Sequence, residues 1–144
     1  MSRVKDILSR KGGNFISVEP STTVFTALEV MAEKNIGSVI VLGPDNQFIG
    51  IVTERDYSRK VILKGKNSNT TEVSEIMTTD IPKVSPEDSI DHCMELMTVN
   101  NVRYLPVFLN EKLSGIISIS DVIRETILIQ QQTISHLENY IHST

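Results

Sequence analysis

Apolar residues follow two different rhythms along this chain, and the rhythms alternate in the same order twice. Val24, Ala27, Leu28, Met31 and Ala32 step by three and four, the spacing of one helical face. Ile90, Met94, Leu96 and Met97 take the same part later, with Asp88 as the expected N-cap. Both predicted helices end near an asparagine, Asn35 or Asn101. Short apolar runs then flank turn residues: Ser38 to Leu42, Gly43-Pro44-Asp45-Asn46, and Phe48 to Thr53; then Tyr104 to Leu109, Asn110-Glu111, and Leu113 to Ser118. These predict two hairpins. Helical sequence resumes at Glu54 and at Ser120, and an extended segment ending in a valine and a proline precedes each first helix.

The two halves also align residue by residue. Val18/Val84, Pro20/Pro86, Met31/Met97, Asn35/Asn101 and Val41/Val107 match, and Gly50–Asp56 matches Gly115–Asp121 after a second turn one residue shorter. The expected fold is therefore α+β: two tandem β-α-β-β-α repeats packed by a pseudo-twofold axis, plus a long C-terminal helix. The division expected from the repeat is residues 1–66, 72–126 and 127–144, with Lys64 to Thr71 as a flexible linker. Clefts at such a junction are expected ligand positions.

Composition narrows the classes of function. With 144 residues, 40% of them hydrophobic and 22% charged, the chain can bury a core and is not expected to be disordered. A net charge of −4 offers no general attraction to nucleic acid or to anionic lipid. No segment approaches the roughly 20 apolar residues of a membrane span, so a soluble, cytoplasmic protein that binds neither membrane nor nucleic acid is expected. The one cysteine, Cys93, excludes an internal disulfide and a cysteine-rich zinc site. His92 and Cys93 are adjacent, and adjacent helical residues point about 100° apart, which does not suit a base and its nucleophile. Cys93 reads as a small core residue. His136 and His142, six apart, do not share a helical face as metal ligands would. No catalytic group, metal site or catalytic cofactor is expected, and the chain does not read as an enzyme.

The segments GIVTERD and GIISISD place a hydroxyl (Thr53, Ser118) and a carboxylate (Asp56, Asp121) at a strand-to-helix turn. Free backbone N–H groups at a helix start favour a phosphate, and a carboxylate can accept from both hydroxyls of a ribose. The same spacing also makes a helix capping box, which needs no ligand. Both readings remain open on the residues alone.

Taken with ILSRKGGNFISVEPSTTV, EIMTTDIPKVSPEDSI and the strands NIGSVIVL and NVRYLPVF, these turns resemble a tandem pair of cystathionine-β-synthase (CBS) domains, a Bateman module. The resemblance implies a regulatory module that binds AMP, ADP, ATP, NAD(H) or S-adenosylmethionine in inter-repeat clefts. It also implies a homodimer and an unidentified protein target. Carried over residue by residue, Asp56 and Asp121 would hold ribose, with Thr53, Arg55, Ser118 and Ser120 near phosphate. Adenine would lie against Ile16 and Pro82 and beside Gly37 and Ser38 or Arg103 and Tyr104, while Thr78 and Lys11 reach the rims. Copy one has Ile40 where copy two has Pro106, and its leading segment carries the additional residues Arg10 to Gly13.

Along the final stretch, Ile123, Ile127, Gln130, Ile134, Leu137 and Ile141 alternate steps of four and three, the spacing of a two-helix seam. A dimer contact is expected there. With no effector domain in the sequence, the module would act in trans on a partner. The competing reading is a dimerising scaffold in which both Asp turns are only caps.

Overall fold

The computed structural model describes residues 2–142; Met1, Ser143 and Thr144, which fall within the expected 1–66 and 127–144 segments, lie outside the described residues. In chain order the elements are α1 (Val4–Lys11), β1 (Ser17–Val18), α2 (Val24–Lys34), β2 (Ser38–Leu42), β3 (Phe48–Thr53), α3 (Glu54–Tyr57), α4 (Ile90–Asn100), β4 (Tyr104–Leu109), β5 (Lys112–Ser118) and α5 (Ile119–His142). A π-helical turn, Ser58–Ile62, continues α3, and a 3₁₀ turn, Val73–Glu75, precedes the second repeat.

The long helices of the two repeats begin and end alike. Thr23 Oγ1 accepts from Thr26 N–H at the start of α2, and Ser89 Oγ accepts from His92 N–H at the start of α4. Ser89, not Asp88, is the N-cap of α4, because the Asp88 carboxylate turns back to accept from Ser85 N–H at 2.7 Å. Asn35 (φ 55°) and Asn101 (φ 53°) stop the helices in the left-handed conformation that asparagine tolerates. The buried stripes are Val24, Ala27 and Met31 on α2 and Ile90, Cys93 and Met97 on α4. Ala32 and Met94, expected on these faces, are exposed. Cys93 is the core residue in their place on α4.

Two hairpins supply the sheets, β2 antiparallel to β3 and β4 antiparallel to β5, each with a register shift at the same point, after Val41 or Val107. β1 adds a parallel third strand beside β2, where Ile40 N–H donates to Ile16 O at 3.0 Å. The second repeat was expected to copy this strand and only partly does. Its counterpart of Ile40 is Pro106, which has no N–H to donate, so the pairing shrinks to a single bridge at Val84, from Val84 N–H to Pro106 O and from Phe108 N–H to Val84 O.

Spatially the chain forms two bodies whose limits differ from the repeat boundaries. The first body is Phe15–Ile81; the second joins the residues up to Asn14 to those from Pro82 onward. Each leading segment therefore docks in the body of the other repeat, and it does so by equivalent backbone bonds. In the second body Val4 N–H donates to Asp88 O, Lys5 N–H to Pro86 O, and Ile90 N–H to Ser2 O; in the first, Val73 N–H donates to Thr22 O, Ser74 N–H to Pro20 O, and Val24 N–H to Thr71 O. Val4 and Ile7 enter one core with Cys93, Met97, Leu105, Ile117 and Val122, and Val73 and Ile76 enter the other with Val24, Met31, Val39 and Val52.

The Lys64–Thr71 linker is tied down rather than loose. Asn67 O accepts from Thr70 N–H, Thr71 N–H and the Thr71 hydroxyl, while Ser68 O and Thr71 O accept from the first-turn amides Phe25 and Val24 of α2. Four backbone groups at a helix start lack intrahelical partners, and the linker serves two of them.

The crossed docking predicts where a distant substitution is felt. Ile7→Ala should destabilise the second body by about 2–5 kcal/mol. Amide exchange should accelerate in Tyr104–Ser118 and far less in Ser38–Thr53; equal acceleration in both hairpins would contradict the assignment of α1.

Candidate functional site

The glycine of each Gly-x-x-Thr/Ser-x-x-Asp segment lies in a strand whose other edge is closely covered. A Cβ on Gly50 would come within 2.7 Å of Thr78 O, and one on Gly115 within 3.0 Å of the Leu8 side chain. Thr78 sits there because it exchanges both backbone hydrogen bonds with Ile51. The strands then run straight into helix starts at Thr53 and Ser118.

At both turns the capping box is made. Thr53 N–H and hydroxyl donate to Asp56 Oδ2 at 2.9 and 3.1 Å, and Asp56 N–H returns a bond to Thr53 Oγ1 at 3.0 Å. Ser118 N–H donates to Asp121 Oδ2 at 2.8 Å, and Asp121 N–H to Ser118 Oγ at 3.2 Å. Both carboxylates are buried, and both meet cations. Lys60 Nζ stands 3.0 Å from Asp56 Oδ1. Lys11 Nζ stands 2.7 Å from Asp121 Oδ2 and donates to Ile116 O, while Arg124 reaches Asp121 Oδ1 at 3.2 Å. Burial pushes the Asp121 carboxyl upward, but the Lys11 ammonium and the Ser118 donors outweigh it and hold the group below the ordinary aspartate value.

Of the residues singled out from sequence, Ile16, Gly37, Ser38, Thr53, Arg55, Asp56 and Thr78 fall in the first body; Lys11, Pro82, Arg103, Tyr104, Ser118, Ser120 and Asp121 fall in the second. Ser38 lies opposite Thr53 in the β2–β3 ladder, and Gly37 O accepts from Glu54 N–H. Tyr104 lies opposite Ser118, and Arg103 O accepts from Ile119 N–H, the same arrangement in the second body. Arg55 and Pro82 are half-buried, and Ser120 and Arg103 are exposed.

Four charged residues near the turns escaped the sequence reading. Lys60 and Arg124 follow their aspartates by four and three residues, a spacing that signals helical ion pairs. Arg10 and Glu125 carry no such signal. They meet only through the crossing of α1, where Arg10 pairs with the buried Glu125 and the Ser2 hydroxyl donates to Glu125 Oε1 at 3.0 Å. Beside them a groove of about 300 Å³ runs between α1 and α5, lined by Ile7, Arg10, Lys11, Asp121, Arg124, Glu125, Ile127, Leu128 and Gln131. Cys93 takes no part in it; burial, with some help from the Asp88 charge, pushes its thiol up to about 11, so it is protonated near neutral pH.

Comparison with known proteins gives this doubled turn a context. The CBS domain family matches the chain twice, over residues 4–62 and 73–127. The chain belongs to the CBS domain family. It is 34% identical to the mitochondrial CBS domain-containing protein CBSX3 of Arabidopsis thaliana, across 96% of this chain and 71% of that one. A solved protein with CBS domains from Burkholderia ambifaria is 42% identical, with a TM-score of 0.84 over 88% of this chain and 95% of its own. The hexameric CBS-CP12 protein from bloom-forming cyanobacteria is 30% identical, with a TM-score of 0.79 over 90% of this chain and 74% of its own. A CBS pair of this size is generally a regulatory or ligand-binding module rather than an enzyme. No helix among the described residues is long and apolar enough to cross a membrane.

The Lys11–Asp121 contact gives a pH prediction. A carboxyl held below its unfolded value adds stability at pH above that value, and the contribution is lost as pH falls through the folded one. Lys11→Met should therefore raise the Asp121 pKa and shrink the stability that is lost on acidification. Carboxyl NMR titration of both proteins checks it; an unmoved Asp121 titration would contradict the role given to Lys11.

Proposed function

We propose that the protein is a regulatory module that binds adenosine-containing nucleotides, AMP, ADP, ATP or NAD(H), at its two Asp turns and acts in trans on a partner protein. The observation that carries this reading is the recurrence, in both bodies, of a buried carboxylate beside a hydroxyl and a cation at a helix start. An acceptor-only group suits a ribose diol, and the positive end of a helix with a neighbouring ammonium suits phosphate. The caps occupy chiefly Oδ2 of each aspartate, and a carboxylate has about four lone-pair positions, so capping and ribose binding are compatible. Thr53, Arg55, Ser118 and Ser120 are the proposed phosphate-side residues. Ile16, Gly37, Ser38, Thr78, Pro82, Arg103, Tyr104 and Lys11 are the proposed adenine-side and rim residues.

The two turns are not equal partners for a ligand. Asp121 is engaged by Lys11 and Arg124 together, whereas Asp56 meets Lys60, so we propose that the Asp56 turn fills first. The working form we propose is a homodimer in the cytoplasm. Regulation of a partner requires that the ligand bind two states of the module unequally.

A scaffold reading keeps a specific observation on its side, since both capping boxes are satisfied without any ligand. Titration calorimetry with AMP, ATP, NADH and S-adenosylmethionine separates the two. Asp56→Asn and Asp121→Asn retain an acceptor for the cap while removing the charge. On the nucleotide reading each should weaken its own site by about tenfold or more, the effect of losing a hydrogen bond to a charged group. No heat from any ligand with a folded protein would leave the scaffold reading standing. The cyanobacterial relative is a hexamer, so the mass in solution should be measured in the same experiments.

A further inference from the structure

Helix α5 continues well past the body it closes. Val122 and Glu125 are buried, but every residue from Gln130 to His142 is exposed. These 13 exposed residues form nearly four turns, a length at which an isolated helix is marginal in water. The expected seam residues Ile123, Ile127, Ile134, Leu137 and Ile141 are between 48% and 66% exposed. One largely exposed apolar stripe thus runs from the root of α5 to its tip.

We infer that this stripe is covered by α5 of a second copy, lying antiparallel. With Ile127, Ile134 and Ile141 at heptad position a and Ile123, Gln130 and Leu137 at d, an antiparallel pair layers each a against a d of the partner. The layers become Ile127 with Leu137, Gln130 with Ile134, and Ile123 with Ile141, each formed twice. Arg124 and Glu138 then both occupy position e, and antiparallel helices set e against e. Arg124 of each copy meets Glu138 of the other, two opposite-charge contacts related by the twofold axis. Arg124 holds Asp121 in its own chain yet remains 73% exposed, and Glu138 is exposed.

A parallel pair would make neither charge contact, since its flanking positions bring Thr126 to Gln131 and Thr133 to Glu138. The groove gives a second reason for the antiparallel direction. It lies beside the root of α5, and Ile7, Ile127 and Leu128 form its apolar wall. Only an antiparallel partner brings its tip, with Leu137 and Tyr140, alongside that root. This inference specifies an interface and does not depend on nucleotide binding, so either can fail alone.

Spin labels on cysteines placed singly at Gln132 and Asn139, outer positions seven residues apart, read the direction. Cys93 is buried and does not compete for label. In the antiparallel pair the two helices cross near residue 132, so the copies of residue 139 separate by about 21 Å along the axis at 1.5 Å per residue. The intermolecular distance should be clearly longer at 139 than at 132; equal distances would overturn the proposal. Glu138→Arg on the exposed tip should raise the dimer dissociation constant by about tenfold or more through Arg–Arg opposition. Adding Arg124→Glu should restore it. A chain that sediments as a monomer at all concentrations, or a dimer indifferent to Glu138→Arg, would also overturn the inference.

Discussion

Six backbone hydrogen bonds, three in each body, fasten the segment that precedes one repeat to the helix start of the other. The helix starts need them, because the first amides of α2 and α4 have no intrahelical acceptors. Once Ser2 and Thr71 supply those acceptors, Val4 and Ile7 on one side and Val73 and Ile76 on the other are carried into cores they could not reach by local folding. Neither hydrophobic core is complete within its own repeat.

The same crossing makes the two Asp turns chemically unlike. Through α1 the second body receives Lys11 and Arg10 from far along the chain, and these settle on Asp121 and Glu125. The segment that enters the first body in the equivalent way, residues 72–81, carries no lysine or arginine. Asp56 therefore takes its cation from its own helical extension, Lys60. A duplicated motif has acquired two electrostatic settings without any change in the Thr/Ser-x-x-Asp spacing itself.

Legibility of the sequence followed the range of the interactions. Ser38–Leu42, Phe48–Thr53 and Tyr104–Leu109 are read to the residue, since alternation and turn chemistry are local, and Cys93 is buried as its neighbours imply. The two Asp turns stood out because they occur twice. Short α1 was missed: eight residues with two buried apolar side chains give too little periodicity, and what holds them lies more than 80 positions away. Asp88 and Ser89 are both residue types that suit an N-cap, and only the bond from Ser85 N–H to the Asp88 carboxylate decides for Ser89. The linker looked loose because its polar residues resemble any loop, although their carbonyls cap α2. Pro106 was noticed as a departure; its cost to strand pairing became visible only beside Ile40.

Duplication has a kinetic side in this arrangement. A chain bearing one repeat would leave its docking face waiting for a leading segment from a second molecule, an encounter whose rate depends on how many such molecules are nearby. With both repeats on one chain, each face finds its missing segment at the effective concentration set by the intervening chain, independent of how much protein the cell contains. Assembly by exchange between molecules has become folding within one.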